Sequence, residues 1–340
     1  MDQVRQKKLQ RNFKQIFWIE ALKQIKLLNV VMALFYVHRG LELSHIFILS
    51  IIWALTNLLS ELPSSYLADR WGRKKTIILG TIFQLSYWVV YFFANSFFDF
   101  AIGMIFMSLA FSMFSGTNQA LLYDSAKELK QEKTTLKELA KFHSAQRVFK
   151  IFTPTIAVLL VSSLTESQFQ FAIAIDILAT TITFLIALAL TEANHTVEVE
   201  EHEARIFRDA VYLIKNDPQL IKIVFNRLLP FISTVMVWHY FSDFFVNQVQ
   251  LSLIALGLGY SAIHAGIYLV QRFATHNLKN LPEKSILWMN IASAGAYAAF
   301  IMSYVFAAPA LIIYALYVSI MIIVNWREPL FSELFNKNLS

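Results

Sequence analysis

Two side chains of opposite charge, Asp69 and Arg73, stand four residues apart in the stretch YLADRWGRKK, between two strongly apolar segments. Gly72 separates them and can adopt the positive φ that a tight bend requires. A second carboxylate, Asp124, closes a later apolar segment. A carboxylate–guanidinium–carboxylate group at the edge of an apolar layer is partly desolvated, so its pairs outweigh exposed ones. These residues therefore predict a cluster of strong ion pairs.

Further polar side chains lie inside apolar segments, where they are costly and usually face a cavity. Asp176 stands alone in FAIAIDILATT, which makes it the best candidate for proton coupling. Glu20, Lys23 and Lys26 recur every three residues, and this face either lines the inner mouth of a cavity or reaches the cytoplasmic surface. The other cavity or solute-binding candidates are Asn57, Glu61, Gln84, Asn118, Gln146, Arg147 and Asn226. Each of these could instead form an interhelical hydrogen bond or anchor a helix end.

The composition indicates a membrane protein. Of the 340 residues, 57% are hydrophobic and only 15% are charged, whereas soluble chains carry about 25% charged residues. Spans of roughly 20 apolar residues should be helices, because helices satisfy their own backbone in lipid. We expect an all-α polytopic protein with about ten spans, near 15–37, 46–67, 76–94, 97–122, 148–164, 169–190, 221–241, 253–269, 286–305 and 308–324.

Basic residues are distributed asymmetrically over the loops between these spans. With the N-terminus inside, the inner loops collect almost all the Lys and Arg residues, and Arg39 is the basic residue of the outer loops. This pattern predicts cytoplasmic termini, a multi-pass protein of the plasma or inner membrane, and the lipid bilayer as its partner. It also explains the net charge of +6 without a nucleic-acid partner.

Several chemistries are excluded by residues that the sequence lacks. It contains no cysteine, which removes disulfides, thiolate nucleophiles and cysteine-ligated metals. It has no glycine-rich phosphate loop, no G-x-S-x-G and no His-Glu-x-x-His, so neither an ATP-driven pump nor a hydrolase is indicated. We expect no enzyme activity, no cofactor and no metal site.

The stretch SSYLADRWGRKK closely resembles the turn signature of the major facilitator superfamily, G-x-L-A-D-R-x-G-R-K. Leu67, Ala68, Asp69, Arg70, Gly72, Arg73 and Lys74 match in place, and Ser65 replaces the first glycine. The segments RGLELSHIFILSIIW, SGTNQALLYDSAKE and NWREPLFSELFNKNL also resemble members of this superfamily.

The resemblance implies a secondary active transporter that moves a small solute by alternating access, driven by an ion gradient, with protons as the candidate ion. It also implies that Asp69, Arg70, Gly72, Arg73, Lys74 and Asp124 form a conformational latch that closes in the outward-facing state.

The resemblance further implies twelve helices in two bundles. We expect a six-helix bundle at 1–190, a cytoplasmic linker with a short amphipathic helix at 191–218, and an incomplete bundle of about four helices at 219–340. Since the sequence stops at Ser340, shortly after the tenth span, the chain looks truncated, and we expect a latch weaker than in twelve-helix relatives. The alternative function is a non-transporting remnant, or a membrane sensor or assembly protein.

Overall fold

The computed structural model describes residues 2–131, 135–194, 240–277 and 284–339. These residues form helices and no β-strand, which confirms the predicted all-α class. The chain divides into two compact units, residues 1–197 and 198–340. The predicted linker helix lies mostly outside the described residues, as does most of the span expected at 221–241.

The first unit contains the helices of the first six predicted spans. They are α1 (Gln3–Leu22), α2 (Met32–His38), α3 (Leu43–Trp71), α4 (Arg73–Phe93), α5 (Phe97–Phe114), α6 (Thr117–Glu128), α7 (Thr135–Leu160) and α8 (Glu166–Leu188). Within the described part of the chain, five helical segments are long and apolar enough to cross a membrane: Leu43–Trp71, Arg73–Phe93, Phe97–Glu128, Glu166–Leu188 and Leu253–Val270.

The first predicted span is not one continuous helix. The α1 helix ends at Leu22, and a 3-10 helix at Leu27–Val31 precedes α2. A buried carboxylate on α8 caps the second part of this span, because Asp176 accepts hydrogen bonds from the backbone N–H groups of Leu27 and Leu28 at 2.9 and 3.3 Å. These amides are satisfied by a side chain from another helix, so the ordinary helical ladder can stop there.

The fourth predicted span also changes direction. The α5 helix ends before Ser115, and α6 begins after Gly116, whose φ of +70° is left-handed. Glycine adopts this conformation without the steric penalty that a Cβ would bring. The bend separates the apolar α5 from the more polar α6, which carries Asn118 and Asp124.

The two ends of the first unit differ in chemistry. At the end that contains Gly72, which we call the charged end, the chain turns from α3 into α4. The opposite end, the aromatic end, is filled by the buried rings of Phe35, Tyr36, Tyr91 and Phe100, with the Tyr36 and Tyr91 hydroxyls 2.7 Å apart. These rings pack against one another at that end of the bundle.

The second unit contains α9 (Leu253–Asn277), α10 (Lys284–Val305) and α11 (Ala310–Leu339), preceded by short helical turns at 241–248. Glycine lets α9 and α11 approach closely, since a Cβ on Gly259 would lie 2.0 Å from the Tyr314 ring. The Tyr314 hydroxyl donates to the carbonyl of Leu256 at 2.5 Å. Such small-residue contacts are the usual basis of helix packing in membranes.

Candidate functional site

The charged turn and α6 bring together the three side chains that the sequence predicts to form ion pairs. Arg73 lies with Nε 2.7 Å from Asp124 Oδ2 and with Nη2 3.5 Å from Asp69 Oδ1. The Asp124 side chain is 11% exposed and that of Asp69 is 40% exposed, so the Arg73–Asp124 pair is the better shielded of the two. We call Asp69, Arg73 and Asp124 the latch cluster.

The other residues of the signature have different contacts. Arg70 donates to the Tyr66 hydroxyl and lies over its ring, away from the latch cluster. Lys74 contributes its backbone N–H at the start of α4. Gly72 has a φ of +112°, a conformation that L side chains rarely adopt. The glycine is therefore required by the backbone of the turn.

An acidic residue that the sequence reasoning missed, Glu192, completes the turn. Its carboxylate accepts hydrogen bonds from the backbone N–H groups of Arg73 and Lys74, both at 2.9 Å. A Cβ on Gly72 would lie 2.8 Å from Glu192 Oε2. A carboxylate at a helix N-terminus satisfies free amides and interacts favourably with the helix dipole. The one sequence signal for it is a single acid immediately beyond the sixth apolar span.

The segment that carries Glu192 is fixed by α1. The Asn12 side chain donates to the carbonyl of Thr191 at 2.8 Å and accepts from its N–H at 2.9 Å. The N–H of Asn194 donates to Glu128 Oε2 at 2.7 Å, and Glu128 pairs with Arg5. The charged end therefore links α1, α3, α4, α6 and the segment after α8 through one continuous polar network.

A partly open cavity of about 310 Å³ is lined by residues of the first unit. Its polar lining consists of Glu20, Lys23, Gln24, Lys26, Gln84, Ser115, Gln119, Gln146 and Lys150, and its apolar lining of Met107, Ala110, Phe111, Phe114, Gly116 and Phe142. Small-solute sites usually have volumes of about 300–1,000 Å³ and combine an apolar wall with a few polar groups. This cavity has both properties.

Glu20 is the most heavily bonded side chain of the cavity. It is 2% exposed and accepts hydrogen bonds from Gln146 Nε2 at 2.6 Å, from Lys23 Nζ at 3.0 Å and from the Asn118 amide. The Lys23 ammonium also lies 3.7 Å above the centre of the Phe114 ring. Glu20 and Lys23 thus form a neutral ion pair in the cavity wall.

The sequence-predicted candidates divide into three groups. Gln84 and Gln146 line the cavity, and Asn118 reaches it through Glu20. Asn57 donates to Ser112 Oγ at 3.3 Å and Glu61 accepts from Ser115 Oγ at 2.8 Å.

Asn57 and Glu61 therefore connect α3 to α5 and to its C-terminal end, and they do not line the cavity. Arg147 follows Gln146 on α7 but is absent from the cavity lining. Asn226 lies outside the described residues.

Asp176 is fully buried, but it is not among the residues that line the cavity. Its carboxylate oxygens face the backbone N–H groups of Leu27 and Leu28. The position of Asp176 gives it a structural contact with the interrupted first span, and its proton-coupling role stays a prediction.

Comparison with known proteins identifies the fold. The family model of the Major Facilitator Superfamily matches residues 24–332. No curated protein matches the chain. Among solved structures, the nucleoside transporter NupG superposes with a TM-score of 0.72 at 15% identity, covering 95% of this chain and 80% of that one.

Two other transporters are similar. A D-xylose–proton symporter gives a TM-score of 0.64 at 13% identity, covering 95% of this chain and 80% of its own. An inward-facing, unoccupied bacterial homologue of the human lysosomal transporter Spinster gives a TM-score of 0.66 at 14% identity, covering 96% of this chain and 75% of its own. At these identities the solved structures show a shared fold. The match over 24–332 carries the assignment: this chain belongs to the Major Facilitator Superfamily and is a multi-pass membrane transporter.

Proposed function

We propose that this protein moves a small solute across the cell membrane by alternating access, driven by an ion gradient. The observation that carries the proposal is the cavity inside the first unit. Polar and charged side chains are costly in an apolar bundle, yet nine of them line this one space. A binding site for a polar solute explains why they converge.

The latch cluster supports alternating access. Arg73 pairs with Asp69 of α3 and Asp124 of α6, and Glu192 binds the first amides of α4. These contacts join several helices at one end of the unit through polar groups that can part and re-form, as a two-state element requires. From the loop charges, we assign the charged end and both termini to the cytoplasm.

Protons are the candidate coupling ion, and Asp176 is the candidate carrier. When ionised, its carboxylate can accept hydrogen bonds from two backbone N–H groups of the interrupted first span. Protonation removes one acceptor and therefore weakens the contact between α8 and the 3-10 helix. This links the charge of one residue to the geometry of a span that lines the cavity.

Transport is tested with the purified chain in proteoliposomes. The vesicles carry an inside-alkaline pH gradient and receive a mixture that includes uridine, D-xylose and benzoate, and trapped solutes are identified by mass spectrometry. We expect one solute class to accumulate above empty vesicles and to be released by a protonophore. No accumulation in any gradient contradicts transport, and accumulation that a protonophore leaves unchanged contradicts proton drive.

A further inference from the structure

We propose that the solute is an organic anion whose negative group binds Lys26 and Lys150 and whose apolar body packs against Phe111, Phe114 and Phe142. This inference rests on the proposed function and concerns the same cavity. It starts from the charges of the lining, which comprise three lysines and a single carboxylate.

The one carboxylate of the lining, Glu20, is already hydrogen-bonded to neighbouring side chains. Glu20 accepts hydrogen bonds from Lys23, Gln146 and Asn118, which occupy three of its roughly four acceptor positions. Of the three lysines, Lys23 is therefore the one whose charge is compensated, both by Glu20 and by the face of the Phe114 ring.

Lys26 and Lys150 lack a direct contact of this kind. Among the described residues, no carboxylate forms an ion pair with either ammonium. Asp176, on α8, attracts Lys26 through space, but its oxygens are hydrogen-bonded to the amides of Leu27 and Leu28. Lys26 is half-buried and Lys150 is exposed where it lines the cavity. With no carboxylate of the described residues in contact with either ammonium, the lining carries an excess positive charge that a bound anion would balance.

The rest of the lining defines the body of the anion. Phe111, Phe114 and Phe142 supply aromatic faces, and Gln24, Gln84 and Gln119 supply amides that donate or accept hydrogen bonds. A volume of about 310 Å³ is near the small end of ligand sites. The arrangement fits a small carboxylic or phosphoric acid with an apolar or aromatic body.

The inference is tested by binding, which does not depend on transport. The full chain, purified in detergent without anionic lipid, is screened by thermal shift against acids paired with their amides: butyrate with butyramide, benzoate with benzamide, nicotinate with nicotinamide and salicylate with salicylamide. Ligands that bind the native state raise the melting temperature. We expect at least one acid to stabilise the protein while its amide does not.

Lysine variants locate the site. Lys26→Gln and Lys150→Gln should each weaken binding of that acid at least about tenfold, because each removes a charged hydrogen-bond donor to the acid. Lys26→Arg and Lys150→Arg keep the charge and should retain the preference for acid over amide. Lys8→Gln, on the exposed face of α1, is the matched control and should bind like the wild type.

The outcomes separate this inference from the proposed function. Equal stabilisation by every acid and its amide overturns it, as does acid binding that both glutamine variants retain. Stabilisation by phosphatidylglycerol that no soluble acid reproduces or displaces also overturns it, because the lysines then bind a lipid headgroup. Lysine-dependent acid binding by a chain that accumulates no solute in vesicles supports the anion site and contradicts transport.

Discussion

Glu20 sets the charge balance of the cavity. In Glu20→Gln, Lys23 loses its ion pair, and the new amide cannot accept from both Gln146 and Asn118. We expect the free energy of unfolding in mixed micelles to fall by about 1–3 kcal/mol, the usual effect of unpaired buried polar groups, while affinity for the bound acid rises because a third uncompensated lysine faces it. The control is Glu138→Gln, whose partner Lys141 is 52% exposed and contributes little. Acid affinity that falls in Glu20→Gln would show that Glu20 does not oppose the anion.

Gly72 is constrained by a positive φ and by a close neighbouring side chain, whereas Gly40 has the positive φ alone. Both have positive φ, but a Cβ on Gly72 would lie 2.8 Å from Glu192 Oε2, whereas one on Gly40 meets nothing within 4 Å. Gly40→Ala should lose about 1–2 kcal/mol of stability from backbone strain, and Gly72→Ala should lose more. Hydrogen exchange at the amides of Arg73 and Lys74 should also accelerate in Gly72→Ala, because Glu192 must move. Equal losses with unchanged exchange would contradict the role of Glu192.

The contacts of Glu192 show which side-chain contacts can be predicted from the spacing of residues along the chain and which cannot. Asp69 and Arg73 are four residues apart, so a turn brings them together whatever the rest of the fold does. Glu192 lies 119 residues from Arg73 and reaches it only because Asn12 and Glu128 hold the segment after α8. Its placement depends on long-range packing, which leaves no periodic signal near Glu192.

The interrupted first span is the main departure at the scale of elements. Its hydropathy predicts one helix over 15–37, because apolar residues continue on both sides of Lys23–Lys26. The interruption is accommodated because Asp176, on α8, accepts hydrogen bonds from the amides of Leu27 and Leu28, where the 3-10 helix begins. The polar face of Glu20, Lys23 and Lys26 was visible in the sequence, and the structure places all three along the cavity, the first of the two alternatives.

Asp176→Asn tests the contact between α8 and the first span. Asparagine offers one acceptor oxygen where the carboxylate offers two, so one of the two amides loses its partner. Stability should fall by about 1–3 kcal/mol, with faster hydrogen exchange at Leu27 and Leu28. Thr180→Val is the matched control on the same helix, because the Thr180 hydroxyl donates only to the carbonyl of Asp176. If proton-dependent uptake persists in Asp176→Asn, Asp176 is not the proton carrier, and its role is to cap the 3-10 helix.

At the scale of the molecule, helix content and family could be predicted from apolar segments and from one turn signature. Both properties depend on local sequence, since roughly 20 apolar residues form a span in any fold. The position of the cavity depends instead on which faces of α1, α4, α5, α6 and α7 converge. Gln84 and Gln146 line it whereas Asn57 and Glu61 bond between helices, although all four are polar residues of apolar segments.

Alternating access predicts that the latch cluster controls from which side of the membrane the cavity is accessible. The chain contains no cysteine, so single-cysteine variants can be labelled without background. Gln119→Cys reports on the cavity lining, and Ser163→Cys reports on the loop between α7 and α8 at the aromatic end. In right-side-out vesicles, we expect an impermeant maleimide added outside to label Ser163→Cys, and the same reagent trapped inside to label Gln119→Cys.

Asp124→Asn removes the better shielded partner of Arg73 and should raise the rate of Gln119→Cys labelling from inside about tenfold. Removing one partner of a shielded ion pair costs about 3–5 kcal/mol, which shifts a two-state equilibrium by at least that factor if the pair exists in one state only. Glu138→Gln, which breaks an exposed pair, should leave the rate unchanged. A labelling rate that is the same in Asp124→Asn and in the wild type would mean that the Arg73–Asp124 pair persists in both states, so that it stabilises the turn without controlling access to the cavity.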